Sequence, residues 1–209
     1  MTAQEKLDSK TVLDTNPATG TAVAELNETD LGKLPEIMAK AREAQAIWAA
    51  KSFKERARHI TMMRSYIVDR ADDLARTISE SNGKTLTDAL ATEVLPCALA
   101  CKWYAKNAEK HLKEKNRPGG SILFFNKKTH MLRVPLGVVG IISPWNYPLS
   151  IPFGEIVMAL MAGNAVLLKV AAATPAVGRA IEQIITAGEL PEGLFHHIVG
   201  SGSNVATGF

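Results

Sequence analysis

Residues able to do chemistry cluster in one short run of the chain, Ser143-Pro144-Trp145-Asn146-Tyr147-Pro148. Proline holds φ near about −65° and has no backbone N–H, so a segment clamped between two prolines keeps little freedom and presents its side chains in few orientations. Asn146 is the residue of most interest there. A preorganised side-chain amide aimed at a developing oxyanion contributes about 3 to 4 kcal/mol to its stabilisation. An asparagine ahead of a helix also serves as a cap or closes a turn, and spacing alone leaves both readings open. A second run, Gly200-Ser201-Gly202, follows a short apolar stretch. Glycines after a strand let backbone approach a nucleotide closely. The next glycine of a G-x-G-x-x-G fingerprint falls at Val205, so the ordinary dinucleotide motif is absent.

These residues need a scaffold, and the flanking pattern predicts one. Gly137 to Ser143 is short, apolar and rich in Val and Ile, which reads as a strand buried on both faces and stopped by Pro144. A helical run from Pro152 to Met161 ends at Gly163, where positive φ suits a helix terminus, and Ala165 to Lys169 forms a second apolar strand. Two strands joined by one helix run parallel with a right-handed crossover, and their ligands bind beyond the carboxyl ends. Thr174-Pro175 then opens a helix with Val177, Ile181, Ile184 and Ile185 inside, and Gly188 stops it. Leu190-Pro191-Glu192-Gly193 turns the chain into a third parallel strand, Leu194 to Val199.

Upstream, Asn16 to Gly20 is a turn signature within an amino-terminal arm or hairpin from Val12 to Leu26. Asp30 is a plausible cap for a helix with Leu34, Ile37, Met38, Ala41, Ala44 and Ile47 on its apolar face. A second helical region runs from Ser52 to about Ser81 with a break near Arg70 to Asp73, and Asn82-Gly83 ends it. Leu86 to Lys115 reads as one long helix kinked by Pro96. After the breaker Arg117-Pro118-Gly119-Gly120, strands at Ser121 to Phe125 and Thr129 to Arg133 are expected around Asn126 to Lys128.

Composition narrows the functional classes. The 209 residues are 46% hydrophobic, enough for a core, and 24 basic against 21 acidic residues give a net charge of only +3. That balance provides no electrostatic case for nucleic acid. Lysines 102, 106, 110, 113 and 115 interleave with Glu109 and Glu114 as on a solvated helix face. Ile151 to Ala162 is too short and too interrupted for a membrane span. The charged amino terminus lacks a signal-peptide apolar core, so a cytoplasmic protein is expected. Cys97 and Cys101 lie four apart, suited to packing from one helix face, and no His or Cys cluster has metal-ligand spacing.

The run P-L-G-V-V-G-I-I-S-P-W-N-Y-P-L followed by M-A-G-N-A-V-L-L-K resembles the aldehyde dehydrogenase superfamily. N-P-A-T-G at Asn16, W-A-A at Trp48, F-K-E-R-A-R at Phe53 and N-G-K-T at Asn82 extend the likeness over nearly the whole chain. The resemblance implies roles. Asn146 matches the amide that stabilises the oxyanion, and Ile142, Ser143, Pro144 and Trp145 match positions along the nicotinamide and ribose side of the cofactor. Lys169 matches the lysine on the adenosine ribose, with a strand-end salt bridge as its alternative. Gly202 lies where the family places backbone near the adenine. Tyr147 and Ile151 would face the aldehyde tunnel, with core packing as the alternative.

The fold so implied is α/β: amino-terminal helices plus a partial Rossmann-like parallel sheet with an oligomerisation-type hairpin. Its parts are an arm at 1–29, a helical part at 30–117, a β-hairpin of the oligomerisation region at 118–133 and the NAD(P)-binding sheet at 134–209. By the resemblance this hairpin implies a homodimer or tetramer, with an internal hairpin as the alternative. The family usually reads K-P-S-E after its lysine, whereas this chain reads Lys169-Val170-Ala171-Ala172. Without a carboxylate at Ala172 the repulsion of a 2′-phosphate is lost, so NAD and NADP both stay open as cofactors. No cysteine lies in a segment resembling the family's nucleophile and no E-L-G-G glutamate is present. The expectation is therefore the amino-terminal cofactor-binding portion of an enzyme oxidising an aldehyde, inactive alone, with an exposed sheet edge and apolar surface. A standalone nucleotide-binding or subunit-association module is the alternative.

Overall fold

The computed structural model describes residues 10–118, 126–202 and 205. An antiparallel pair, β1 (Thr11–Thr15) and β2 (Ala22–Asn27), forms the arm, with a bulge at Asp14/Thr15. Asn16 closes its turn by accepting the Ala18 amide at 2.9 Å through Oδ1. Asp30 caps a 3-10 turn, Leu31–Lys33, by accepting the Gly32 N–H at 2.9 Å. Helix α1 (Leu34–Ala49) follows with Pro35 in its first turn, where a missing N–H costs nothing.

Helix α2 (Phe53–Asp69) begins at a capping box in which Ser52 and Glu55 satisfy each other's backbone donors. The expected break falls at Arg70, which has φ −114° and ψ 23°, and α3 (Ala71–Asn82) ends at Gly83 in the left-handed region at φ 83°.

The long helix expected over 86–115 is divided. A single turn, α4 (Leu86–Ala89), passes into a π turn, Leu90–Val94, before α5 (Leu95–Leu112). Pro96 is the physical reason: it has no N–H to give the carbonyl four residues back, and one wide turn absorbs the mismatch. The hairpin also differs from expectation, since β3 (Lys115–Pro118) pairs antiparallel with β4 (Lys128–Met131). Its stem thus starts where the helix was expected to end. The strand expected at Ser121 to Phe125 lies outside the described residues.

Beyond it, β5 (Val138–Ile142), α6 (Ser150–Met161), β6 (Ala165–Lys169), α7 (Pro175–Ala187) and β7 (Phe195–His197) build the parallel sheet in the order β5-β6-β7. Gly140 lies opposite Leu167, and Leu167 opposite His196. Only the central strand, β6, is buried at every position. The expectation that the first strand is buried on both faces fails: β5 is at the edge of the described sheet, and Ile142 is 53% exposed. Apolar content followed from strand identity; which strand becomes central is a matter of pairing.

Helix α1 packs across all three strands, and α2 packs against α5, α6 and α7. Trp48, Ile60, Met63, Phe153, Leu160, Leu167 and Leu168 form the centre of the core. The Trp48 indole N–H donates to the Leu160 carbonyl at 2.8 Å, fastening α1 to α6. Gly163 has φ 89° at the turn into β6, as expected. At the end of α7 the left-handed residue is Glu189 at φ 49°, while Gly188 stays right-handed at φ −79°. Met131 through Leu136 carries exposed apolar side chains at Met131, Leu132, Val134 and Leu136.

Candidate active site

The carboxyl ends of β5 and β6 meet. The Ser143 amide donates to the Lys169 carbonyl at 3.0 Å, extending the parallel pairing one residue past β5. The Ser143 side chain is buried, and its Oγ has no hydrogen-bond partner among the described residues. Lys169 is buried at the end of β6, where desolvation lowers the pKa of its ammonium from the ordinary lysine value. Gly202 lies beside it: a Cβ at that position would sit 3.7 Å from Lys169 Nζ. Three of the residues expected at a cofactor, Ser143, Lys169 and Gly202, thus come to one end of the sheet. The other three, Ile142, Pro144 and Trp145, are exposed on its rim.

The Lys169 ammonium beside a backbone without a Cβ can donate to a ligand bearing hydroxyls, and the orphaned Ser143 hydroxyl is a further unpaired donor at the same end of the sheet. Ala172, three residues past Lys169, is exposed and offers no side-chain acceptor.

From Pro144 the chain enters the exposed loop that carries Asn146. Two backbone carbonyls tie this loop to the end of α3. The Asn82 side-chain amide donates to the Trp145 carbonyl at 2.7 Å, and the Lys84 ammonium donates to the Asn146 carbonyl. Lys84 also lies over the Tyr147 ring, 4.3 Å from its centroid, within cation–π range. Its counter-ion is Glu93 in the π turn, 2.5 Å away.

Glu93 is wholly buried, and its second oxygen accepts the Leu149 amide at 2.8 Å and the Ser150 amide at 3.1 Å. A helix start leaves such donors without intrahelical partners and favours negative charge. The cap of α6 is therefore a carboxylate from a distant helix, and the reading of Asn146 as that cap does not hold. Tyr147 and Ile151 are 39% and 38% exposed, so core packing does not describe them either.

Sequence reasoning did not find Glu93 or assign work to Lys84. A signal was available. Glu93, Cys97 and Cys101 fall at i, i+4 and i+8 and all are buried, so Glu93 is a charge on an apolar stripe, which needs a partner. Both thiols have pKa values raised by burial, Cys101 to about 12, so neither exists as a ready thiolate.

Residues 4–209 match the model of the aldehyde dehydrogenase family. A curated relative, the 4,4'-diapolycopene aldehyde oxidase of Methylomonas sp, is 30% identical over 196 residues, covering 94% of this chain and 37% of that protein. The aldehyde dehydrogenase structure from Brucella melitensis biovar abortus 2308 superposes with TM-score 0.88 at 27% identity, over 95% of this chain and 40% of that one. A mutant of aldehyde dehydrogenase C from Pseudomonas syringae, solved in complex with NAD+ and octanal, gives TM-score 0.86 at 28% identity, over 97% of this chain and 40% of that one. The NAD-dependent benzaldehyde dehydrogenase of Corynebacterium glutamicum gives 0.84 at 26%, over 95% and 43%. The chain thus spans about two fifths of the length of these relatives. On the match over residues 4–209, with the P-W-N loop, crossover and lysine strand in the expected order, the chain belongs to the aldehyde dehydrogenase family.

Proposed function

We propose that this chain is the cofactor-binding, amide-donating portion of an NAD(P)-dependent aldehyde dehydrogenase that oxidises an aldehyde to a carboxylic acid. The observation that carries the reading is the joining of Ser143 to Lys169 at the carboxyl ends of two parallel strands, with Gly202 beside the Lys169 ammonium. Bound there, the nicotinamide cofactor supplies the hydride acceptor.

The chain's own residues do the holding and polarising. Lys169 and Ser143 donate to ribose hydroxyls, the exposed Gly202 backbone lets the adenine side approach, and Ile142, Pro144 and Trp145 flank the nicotinamide side. Asn146 donates its side-chain NH₂ to the aldehyde oxygen as negative charge develops there, and the loop that carries it is already held before substrate arrives. Tyr147 and Ile151 face the aldehyde. The hairpin whose stem is β3 (Lys115–Pro118) and β4 (Lys128–Met131) contributes to a homo-oligomer interface. Nucleophilic attack needs a thiolate, and Cys97 and Cys101 are buried and held protonated, so the 209 residues alone carry out no turnover.

Calorimetric titration of the chain with NAD+ and NADP+ tests the reading. Binding is expected, and Lys169→Met is expected to weaken it by about tenfold, the loss of roughly one charge-assisted hydrogen bond. Equal affinity in that variant sinks the assignment of Lys169.

A further inference from the structure

We infer that Lys84, seated by Glu93, is a positioning residue for Asn146. The inference deepens the proposed function and rests on its reading of Asn146 as the amide donor. The loop from Pro144 to Tyr147 is exposed, so packing does not fix it. What fixes it is attached to its carbonyl side: Asn82 holds the Trp145 carbonyl, and Lys84 holds the Asn146 carbonyl and covers the Tyr147 ring.

Gly83 gives this arrangement its direction. At φ 83° it turns the chain sharply out of α3, so that Asn82 and Lys84 on either side both reach the loop. Glu93 then fixes Lys84. A buried carboxylate with one oxygen on two helix-start amides and the other on the ammonium has little freedom to move, and the ammonium is held with it. A peptide carbonyl held from behind sets the peptide plane of Asn146. That plane sets the direction in which its Cβ, and so its amide, leaves the backbone.

The double variant Lys84→Met with Glu93→Gln cuts the tether while leaving neither charge buried alone, and a glutamine oxygen at 93 still accepts from Leu149 and Ser150. In ¹⁵N relaxation measurements on the 209-residue chain, backbone order parameters at Trp145, Asn146 and Tyr147 are expected to fall from about 0.85 to below about 0.6. Slow amide exchange in β6 and at Leu149 and Ser150 is expected to persist. The single variant Lys84→Arg, which keeps the charge and the donors, is expected to stay ordered.

Unchanged order at 145–147 in the double variant overturns the inference, and so does a loosening that extends equally through β6, which marks the pair as merely structural. NAD+ titration of the wild-type chain is the separate arm. If no resonance of Ser143, Lys169 or Gly202 shifts while the loop result holds, the cofactor reading falls and the positioning relationship stands.

Discussion

Glu93 in the π turn and Leu149 at the start of α6 are joined by a 2.8 Å hydrogen bond across 56 residues of sequence. Through it the helical half of the chain determines where the parallel sheet's first crossover helix begins. The same carboxylate, paired with Lys84, links that helix start to the carbonyl of Asn146. The proposed amide donor is thus supported from two sides by residues it does not adjoin.

Removing the carboxylate should be costly. Glu93→Ala leaves the Lys84 ammonium without its counter-ion and strips two helix-start amides of their acceptor. A loss of about 3 to 5 kcal/mol in urea-unfolding free energy is expected, with a smaller loss in Glu93→Gln, which retains an acceptor. A loss below about 1 kcal/mol in Glu93→Ala shows that the pair contributes little to the fold.

Ala172 bears on cofactor choice. It is exposed just past the end of β6, and Ala172→Glu places a carboxylate near the ribose that Lys169 is proposed to hold. Two like charges about 4 Å apart repel by about 1 kcal/mol even in water, so the NAD+ to NADP+ affinity ratio is expected to rise at least about fivefold. An unchanged ratio in paired titrations removes Ala172 from the specificity argument.

His196 should make stability depend on acid pH. Burial, its largest cause, lowers this histidine's pKa from the ordinary value of 6.5; the positive charge of Lys40 acts the same way, and a backbone bond at Gly193 opposes both. The unfolded chain therefore takes up the proton more readily than the folded one. Well above pH 6.5 neither form is much protonated and stability is unaffected; as pH falls through 6.5, stability is lost. Urea midpoints at pH 7.5 and about pH 5.5 are expected to differ less in His196→Asn than in the wild type, and an equal difference refutes the assignment.

Much of this protein is set by local sequence. Pro144, Gly163 and the Val- and Ile-rich runs were enough to place β5 and β6, and α6 apart from its first turn, which starts at Ser150 and not Pro152, because strand pattern and helix stop are properties of short segments. The capping box at Ser52, the break at Arg70 and the turn at Asn16 are local for the same reason. The family too was legible, since its motifs are contiguous.

What tertiary structure alone decided is of another kind. That β6 and not β5 is the buried strand follows from which neighbours pair. That α6 is capped by Glu93 and not by Asn146 follows from a helix lying elsewhere in the chain. A buried charge is stable only beside its partners, and those partners become neighbours only when α3, the π turn and the loop are folded against one another.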